Sequence, residues 1–135
     1  MFRSIDVKIS LIAKTAPFLA LFIVYNETKE TAMFTVLMLP IKIKKEYPLQ
    51  ARRVMHAIWG AGQMAWTKMI VVVDHNVNVH DHEKVLFHVC ANFDPGRDIE
   101  IVNGPLDILD HAAPRLGAGH KIGIDATAKI LGEEC

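Results

Sequence analysis

The sequence predicts a single α/β domain, with a mixed or mostly parallel sheet and flanking helices, on three observations. Its 135 residues are one domain's worth of chain. A 51% hydrophobic content beside 22% charged residues is enough to bury a core. Strand-like and helix-like apolar periods also alternate along the chain, which is the signature of helices laid against a sheet.

The elements follow in order. Residues 1–33 form an N-terminal apolar segment whose structure the pattern does not define, and the α/β domain is expected over 34–133. The stretch FTVLMLPIKIKK, Phe34 to Lys45, turns from a continuous apolar run into the alternation Ile41, Lys42, Ile43, Lys44, a strand with one wet face. Pro40 has no amide donor and sends that strand to an edge or a bulge. Pro48 opens a helix, because its fixed φ suits a first turn. In that helix Ala51, Val54, Met55 and Ile58 repeat as an apolar stripe, and Gly60-Ala61-Gly62 ends it. Met69–Val73 reads as a strand covered on both faces, closed by Asp74. Asp81 caps a second helix in which Val85, Leu86, Val89 and Cys90 are expected on one buried face, and Asp94-Pro95-Gly96 turns the chain. Asp98–Val102 alternates as a strand, with either Ile99 or its polar neighbours inward. Gly104–Gly119 contains Gly104, Pro105, Pro114 and Gly117 and reads as a long shaped loop, and Lys121–Asp125 is a last short strand.

Composition excludes several functions. Fifteen basic and fifteen acidic side chains balance, so no electrostatic footprint invites nucleic acid or an anionic membrane. Zero net charge with high apolar content favours self-association, and a homodimer or higher oligomer is expected. Lys14 and Pro17 interrupt the most apolar stretch, Ile9 to Tyr25, leaving too few uncharged residues for a spanning helix of roughly 20. The same stretch lacks the basic start and small-x-small exit of a signal peptide. Two cysteines, Cys90 and Cys135, make no disulfide framework, which suits a cytoplasmic protein.

Side chains capable of chemistry are few. His80 and His82 in DHNVNVHDH could chelate a metal if the segment were extended, together with Asp74 or His75, but the same spacing describes a polar strand exit. Cys90 beside Val89 reads as a small buried hydrophobe rather than a nucleophile. Neither Gly60-Ala61-Gly62 nor Gly117-Ala118-Gly119 lies between a strand and a helix, where a phosphate cradle belongs. Asp107 and Asp110 fit side-chain turns of the kind that shape loops.

Four blocks are more specific: WGAGQM from Trp59, DPGRD from Asp94, LDHA from Leu109 and KIGIDATAK from Lys121. With the residues around them, from Phe34 to Glu133, they resemble the C-terminal domain of the UbiD-type decarboxylases. These are the carboxy-lyases of ubiquinone and menaquinone biosynthesis and their aromatic-acid relatives. GPLDILDHA and HAIWGAGQM resemble the menaquinone-type branch most.

The resemblance implies a lyase that uses prenylated FMN with a divalent metal and potassium, the cofactor serving as the electron sink for loss of carbon dioxide. It also implies that the catalytic Glu-Arg-Glu trio and the metal ligands lie in an upstream portion. No catalytic, cofactor-binding or metal residue is therefore expected here, and no flavin is expected on this chain alone. What the resemblance assigns to this domain is a lid over the substrate cleft and part of an oligomer contact. The lid residues implied are Gly104, Pro105, Leu106 and Asp107, with Leu106 facing outward toward substrate. The partners implied are a second copy and the missing N-terminal and split-barrel portion. The alternative is a free-standing homo-oligomeric assembly module. FIVYNETKETAM, from Phe22, departs from the Pro-Glu-Ile-Val-Asp block of relatives, and no basic side chain accompanies Gly60-Ala61-Gly62 as it does in some of them.

Overall fold

The structure, a computed structural model, describes residues 38–133. The N-terminal apolar segment 1–33 and the expected strand start at Phe34 lie outside the described residues. Six elements and one 3-10 helix follow: β1 (Met38–Ile43), α1 (Gln50–Trp59), the 3-10 helix Gly62–Trp66, β2 (Met69–Asp74), α2 (His82–Asn92), β3 (Ile99–Pro105) and β4 (Ala118–Asp125). Among the described residues the strands form one sheet in the order β1-β2-β4-β3. β1, β2 and β4 run parallel, and β3 pairs antiparallel with β4. The sheet is thus mixed, and Pro40 sits on an edge strand, where its missing donor does least harm.

The core follows from the pleat. On one face Leu39, Ile41, Ile43, Ile70 and Val72 meet the expected stripe of α1, Ala51, Val54, Met55 and Ile58, together with Trp59 and Met64. Burying side chains such as Ile41, Ile70 and Val72 contributes about 1.5–3 kcal/mol each. On the other face Val71 and Val73 pack with Val77, Val79, Val85 and Ala126. The central strand β2 is therefore covered on both sides, and its unbroken apolar run is explained. At Gly123 a Cβ would lie 2.4 Å from Met55 Sδ, so the glycine is what lets α1 approach β4.

Several expectations need correction. Helix α1 starts at Gln50 rather than Pro48, with Leu49 at its N-cap in the left-handed region at φ 61°. Asp81 does cap α2, accepting from Lys84 N–H. Yet of the face expected to be buried only Val85 is, with Val89 half-buried. Leu86 is 63% exposed beside Phe87 at 66%, and Cys90 is exposed as well. Leu86 lies about a quarter turn from Val85 on the helix, and a narrow helix on a narrow sheet reaches only one of the two flanks. Of the two orientations left open for β3, the structure has the polar side inward: Glu100 pairs with Arg52 of α1, Asp98 just before the strand is buried, and Ile101 is exposed. Finally, Gly104 and Pro105 belong to β3 and Ala118 and Gly119 to β4, where they pair as Gly104 with Gly119 and Pro105 with Ala118. The loop is therefore shorter than expected, residues 106–117.

Candidate functional site

The loop between β3 and β4 leaves the sheet at the amino ends of its parallel strands, beside Lys68 and the 3-10 helix. Its base is closed by Leu106 N–H, which donates to Gly117 O at 2.9 Å. Leu106 does not face outward: its side chain is 3% exposed. It is seated over Gly119, where an added Cβ would stand 2.8 Å from Leu106 Cδ1 and 2.9 Å from Pro114 Cδ. The missing side chain at Gly119 is thus the socket for Leu106, and Gly117 at φ 70° makes the return bend that only glycine adopts freely.

Beyond Leu106 the loop is built from aspartate turns. Asp107 Oδ1 accepts from Leu109 N–H at 2.8 Å, and Asp107 O accepts from Asp110 N–H at 3.0 Å. Asp110 Oδ1 accepts from Ala112 N–H at 3.0 Å and from the Lys68 ammonium at 2.9 Å. The Lys68 hydrogen bond holds the Asp110 carboxyl below its ordinary range, against the opposing effect of burial. These turns place two large apolar side chains on the outside, Ile108 at 71% and Leu109 at 53% exposure, with Leu116 also exposed. Of the four residues expected at the lid, Gly104 and Pro105 are strand residues and Asp107 is a turn former. Leu106 is the anchor, and the apolar tip is Ile108 and Leu109, which the sequence reading passed over.

Near the loop base Lys121 is buried on β4. Its ammonium donates to Ala65 O and lies 5.9 Å from the centroid of the Trp59 ring, and burial pushes its pKa down. The opposite end of the sheet is closed. Lys45 Nζ meets Glu133 Oε2 at 2.7 Å and Asp125 Oδ2 at 3.7 Å, and Lys129 Nζ meets Asp125 at 3.3 Å and Asp98 at 3.5 Å. Glu133 Oε1 also accepts from Leu49 N–H at 2.8 Å, which stands in for a side-chain cap on α1 and holds Leu49 in its unusual conformation.

The segment that carries His80 and His82 is not the extended one expected. His80 lies in a turn, its N–H bonded to Asn78 Oδ1, and His82 is the first residue of α2. No group of three or more His, Cys, Asp or Glu among the described residues could hold a metal ion. At the glycine stop the Gly60 and Ala61 amides already donate to His56 O and Ile58 O, so they are not free to bind a phosphate. The described residues by themselves thus show neither a metal-holding group nor free amides of Gly60 and Ala61. No helix among them is long and apolar enough to cross a membrane.

The family described as 3-octaprenyl-4-hydroxybenzoate carboxy-lyase C-terminal domain matches residues 22–126. An uncharacterized protein of Archaeoglobus fulgidus is 51% identical over 90 residues, which are 66% of this chain and 19% of that protein. Among solved structures, the closed form of vanillic acid decarboxylase from Sedimentibacter hydroxybenzoicus superposes with a TM-score of 0.68 at 28% identity, over 71% of this chain and 21% of the other. The same enzyme is also known in an open form. The UbiD-class enzyme HmfF from Pelotomaculum thermopropionicum, in complex with FMN, gives a TM-score of 0.64 at 33% identity, over 73% and 22% of the two chains. An evolved dimeric form of HmfF is in complex with prFMN. The chain spans about a fifth of the length of these relatives. It belongs to the family of UbiD-class carboxy-lyase C-terminal domains.

Proposed function

We propose that this domain is the lid and an oligomerisation surface of a prenylated-FMN-dependent aromatic-acid decarboxylase of the UbiD class. It acts with an N-terminal and split-barrel portion and is inactive by itself. The observation that carries this reading is the loop 106–117, framed by aspartate turns, which presents Ile108 and Leu109 to solvent. An apolar tip on a preformed frame loses little entropy on docking and gains by leaving water, which is what closing over an aromatic substrate requires. The open and closed forms of the Sedimentibacter enzyme are consistent with a domain that moves. In the complete enzyme the flavin supplies the electron sink. This chain's part is to exclude water and to bound the cleft with Gly104, Pro105, Leu106 and Asp107 as base and Ile108 and Leu109 as tip. The substrate class we assign is an aromatic acid of quinone biosynthesis, with the cytoplasm as compartment.

Co-expression with the upstream portion of a UbiD-class enzyme and a prenyl-FMN source tests the reading. Bound flavin and carbon dioxide release that depend on this chain support it, and their indifference to the chain overturns it. A second reading, a homo-oligomeric assembly module with no substrate, is favoured by the exposed Leu86 and Phe87 on α2. Sedimentation of the chain alone beside a Leu86→Ser, Phe87→Ser variant tests this second reading. Loss of a stable oligomer in that variant supports assembly through α2, and a monomer from the outset removes it.

A further inference from the structure

We infer that Asp110 is the positioning residue of the loop between β3 and β4, a pin that clips onto Lys68 and so sets whether Ile108 and Leu109 are presented. The inference rests on the lid reading for its use, and on the loop's own chemistry for its existence.

A surface loop has no need of a buried carboxylate, since a solvated aspartate forms a side-chain turn equally well. The Asp110 side chain is nevertheless 6% exposed. Burial of a charge is costly unless it is paired, and Asp110 is paired once. Its Oδ1 serves both Lys68 and Ala112 N–H, and its backbone carbonyl accepts from Ala113 N–H at 3.2 Å, so one residue ties the tip, the return limb and the lead-in to β2. Its Oδ2 lies 2.8 Å from the same ammonium but off the hydrogen-bonding direction, and no other described donor reaches it.

A carboxylate in that position has two tolerable states. It is clipped onto Lys68, or it swings out to water and takes the loop with it, because a half-separated pair leaves a buried, uncompensated charge. Lys68 is about a third exposed, so the clip opens from its lysine side without disturbing the core. Leu106, seated over Gly119, stays behind as the hinge point.

Amide hydrogen exchange on the full chain tests the pin, comparing the 107–113 segment with β2. Asp110→Asn keeps an acceptor for Ala112 but removes the charge, and Lys68→Met leaves the carboxylate alone. Each variant is expected to raise exchange in 107–113 by about tenfold while β2 amides keep their protection, as expected of a local opening. Lys68→Arg is expected to retain the wild-type pattern, and the double variant to exchange no faster than Lys68→Met. Unchanged loop exchange in both single variants overturns the inference, as does an equal rise across β2, which would mark a general loss of stability. A separate arm keeps the lid reading distinguishable: Ile108→Ser with Leu109→Ser in the co-expressed enzyme. Lost turnover there with intact exchange protection supports the lid. Unchanged turnover overturns the lid reading and leaves the pin to the exchange result.

Discussion

At the carboxyl end of the sheet the polar groups are turned in on one another, whereas at the amino end a loop holds apolar side chains out in water. Lys45, Lys129 and Arg97 face Asp98, Asp125 and Glu133 at the first end, three charges of each sign joined in one chain of contacts. At the second end one buried carboxylate, Asp110, meets one lysine, and Ile108 and Leu109 have no cover among the described residues. In open α/β sheets the carboxyl ends of the strands are the usual ligand crevice. Here that crevice is filled by residues 126–133: Ala126 N–H donates to Val72 O at 2.8 Å and Glu133 reaches Lys45. The contrast teaches that the exposed apolar loop lies at the rim opposite to the one that fold analogy alone would select for a ligand.

The largest effect expected from a single change at either rim is at Leu106. Leu106→Ala empties the socket over Gly119 and should cost about 3 kcal/mol, within the roughly 2–5 kcal/mol of buried Leu→Ala changes, measured by urea unfolding. A loss under about 0.5 kcal/mol, the scale of neutral surface changes, would restore the outward-facing leucine.

Next comes the charge network. Glu133→Gln should cost about 2 kcal/mol, below the roughly 3–5 kcal/mol for breaking a deeply buried pair because the network lies at the rim. Burial opposes ionisation of Glu133 and of Asp98, but Lys45 with the Ile130 and Leu49 amides outweighs it at Glu133. Arg97, the Asp94 amide and Lys129 outweigh it at Asp98, so both carboxyls titrate below their ordinary range. Their contribution is therefore complete above the unfolded carboxylate pKa of about 4 and is lost as pH falls through the lower folded values. Thermal melts from pH 7 to pH 2 should show this acid limb, and Glu133→Gln should make it shallower. A limb of equal depth in the variant would place the acid sensitivity elsewhere.

A smaller effect, of opposite sign, is expected at Lys121, whose buried ammonium has one carbonyl and an indole face but no carboxylate among the described residues. Lys121→Met should be neutral or stabilising by up to about 1 kcal/mol, since a buried charge is exchanged for an apolar chain of similar length. A clear destabilisation in chemical unfolding would show that the contact with Ala65 outweighs the burial of the charge. The smallest effect on folding belongs to the tip. Ile108→Ser with Leu109→Ser should change stability by less than about 0.5 kcal/mol, because exposed side chains support no core.

The sheet, its central strand and α1 were legible in the sequence. Ala51, Val54, Met55 and Ile58 carry the helical period and all are buried, and the unbroken run of β2 marked a strand with two covered faces. The second helix was legible as a helix, down to its Asp81 cap, but not in its orientation, because Val85, Leu86, Phe87, Val89 and Cys90 are apolar around most of its circumference. A nearly continuous apolar band lets several faces compete for the sheet, and the tertiary fit selected the one through Val85.

By itself, then, the sequence determined the α/β class, the restriction of Pro40 to an edge or a bulge, the apolar stripe of α1 and, through its specific blocks, the family. Only the tertiary structure decided that Leu106 is an anchor, that Ile108 and Leu109 are the tip, and that Asp110 meets Lys68. The reason is one of range. Periodicity and capping are set within one or two turns of chain, whereas the partner of a lone charge or of a loop hydrophobe is set by where the chain returns. Lys68 and Asp110 are 42 residues apart and Lys45 and Glu133 are 88 apart, so no local pattern could have announced either pair.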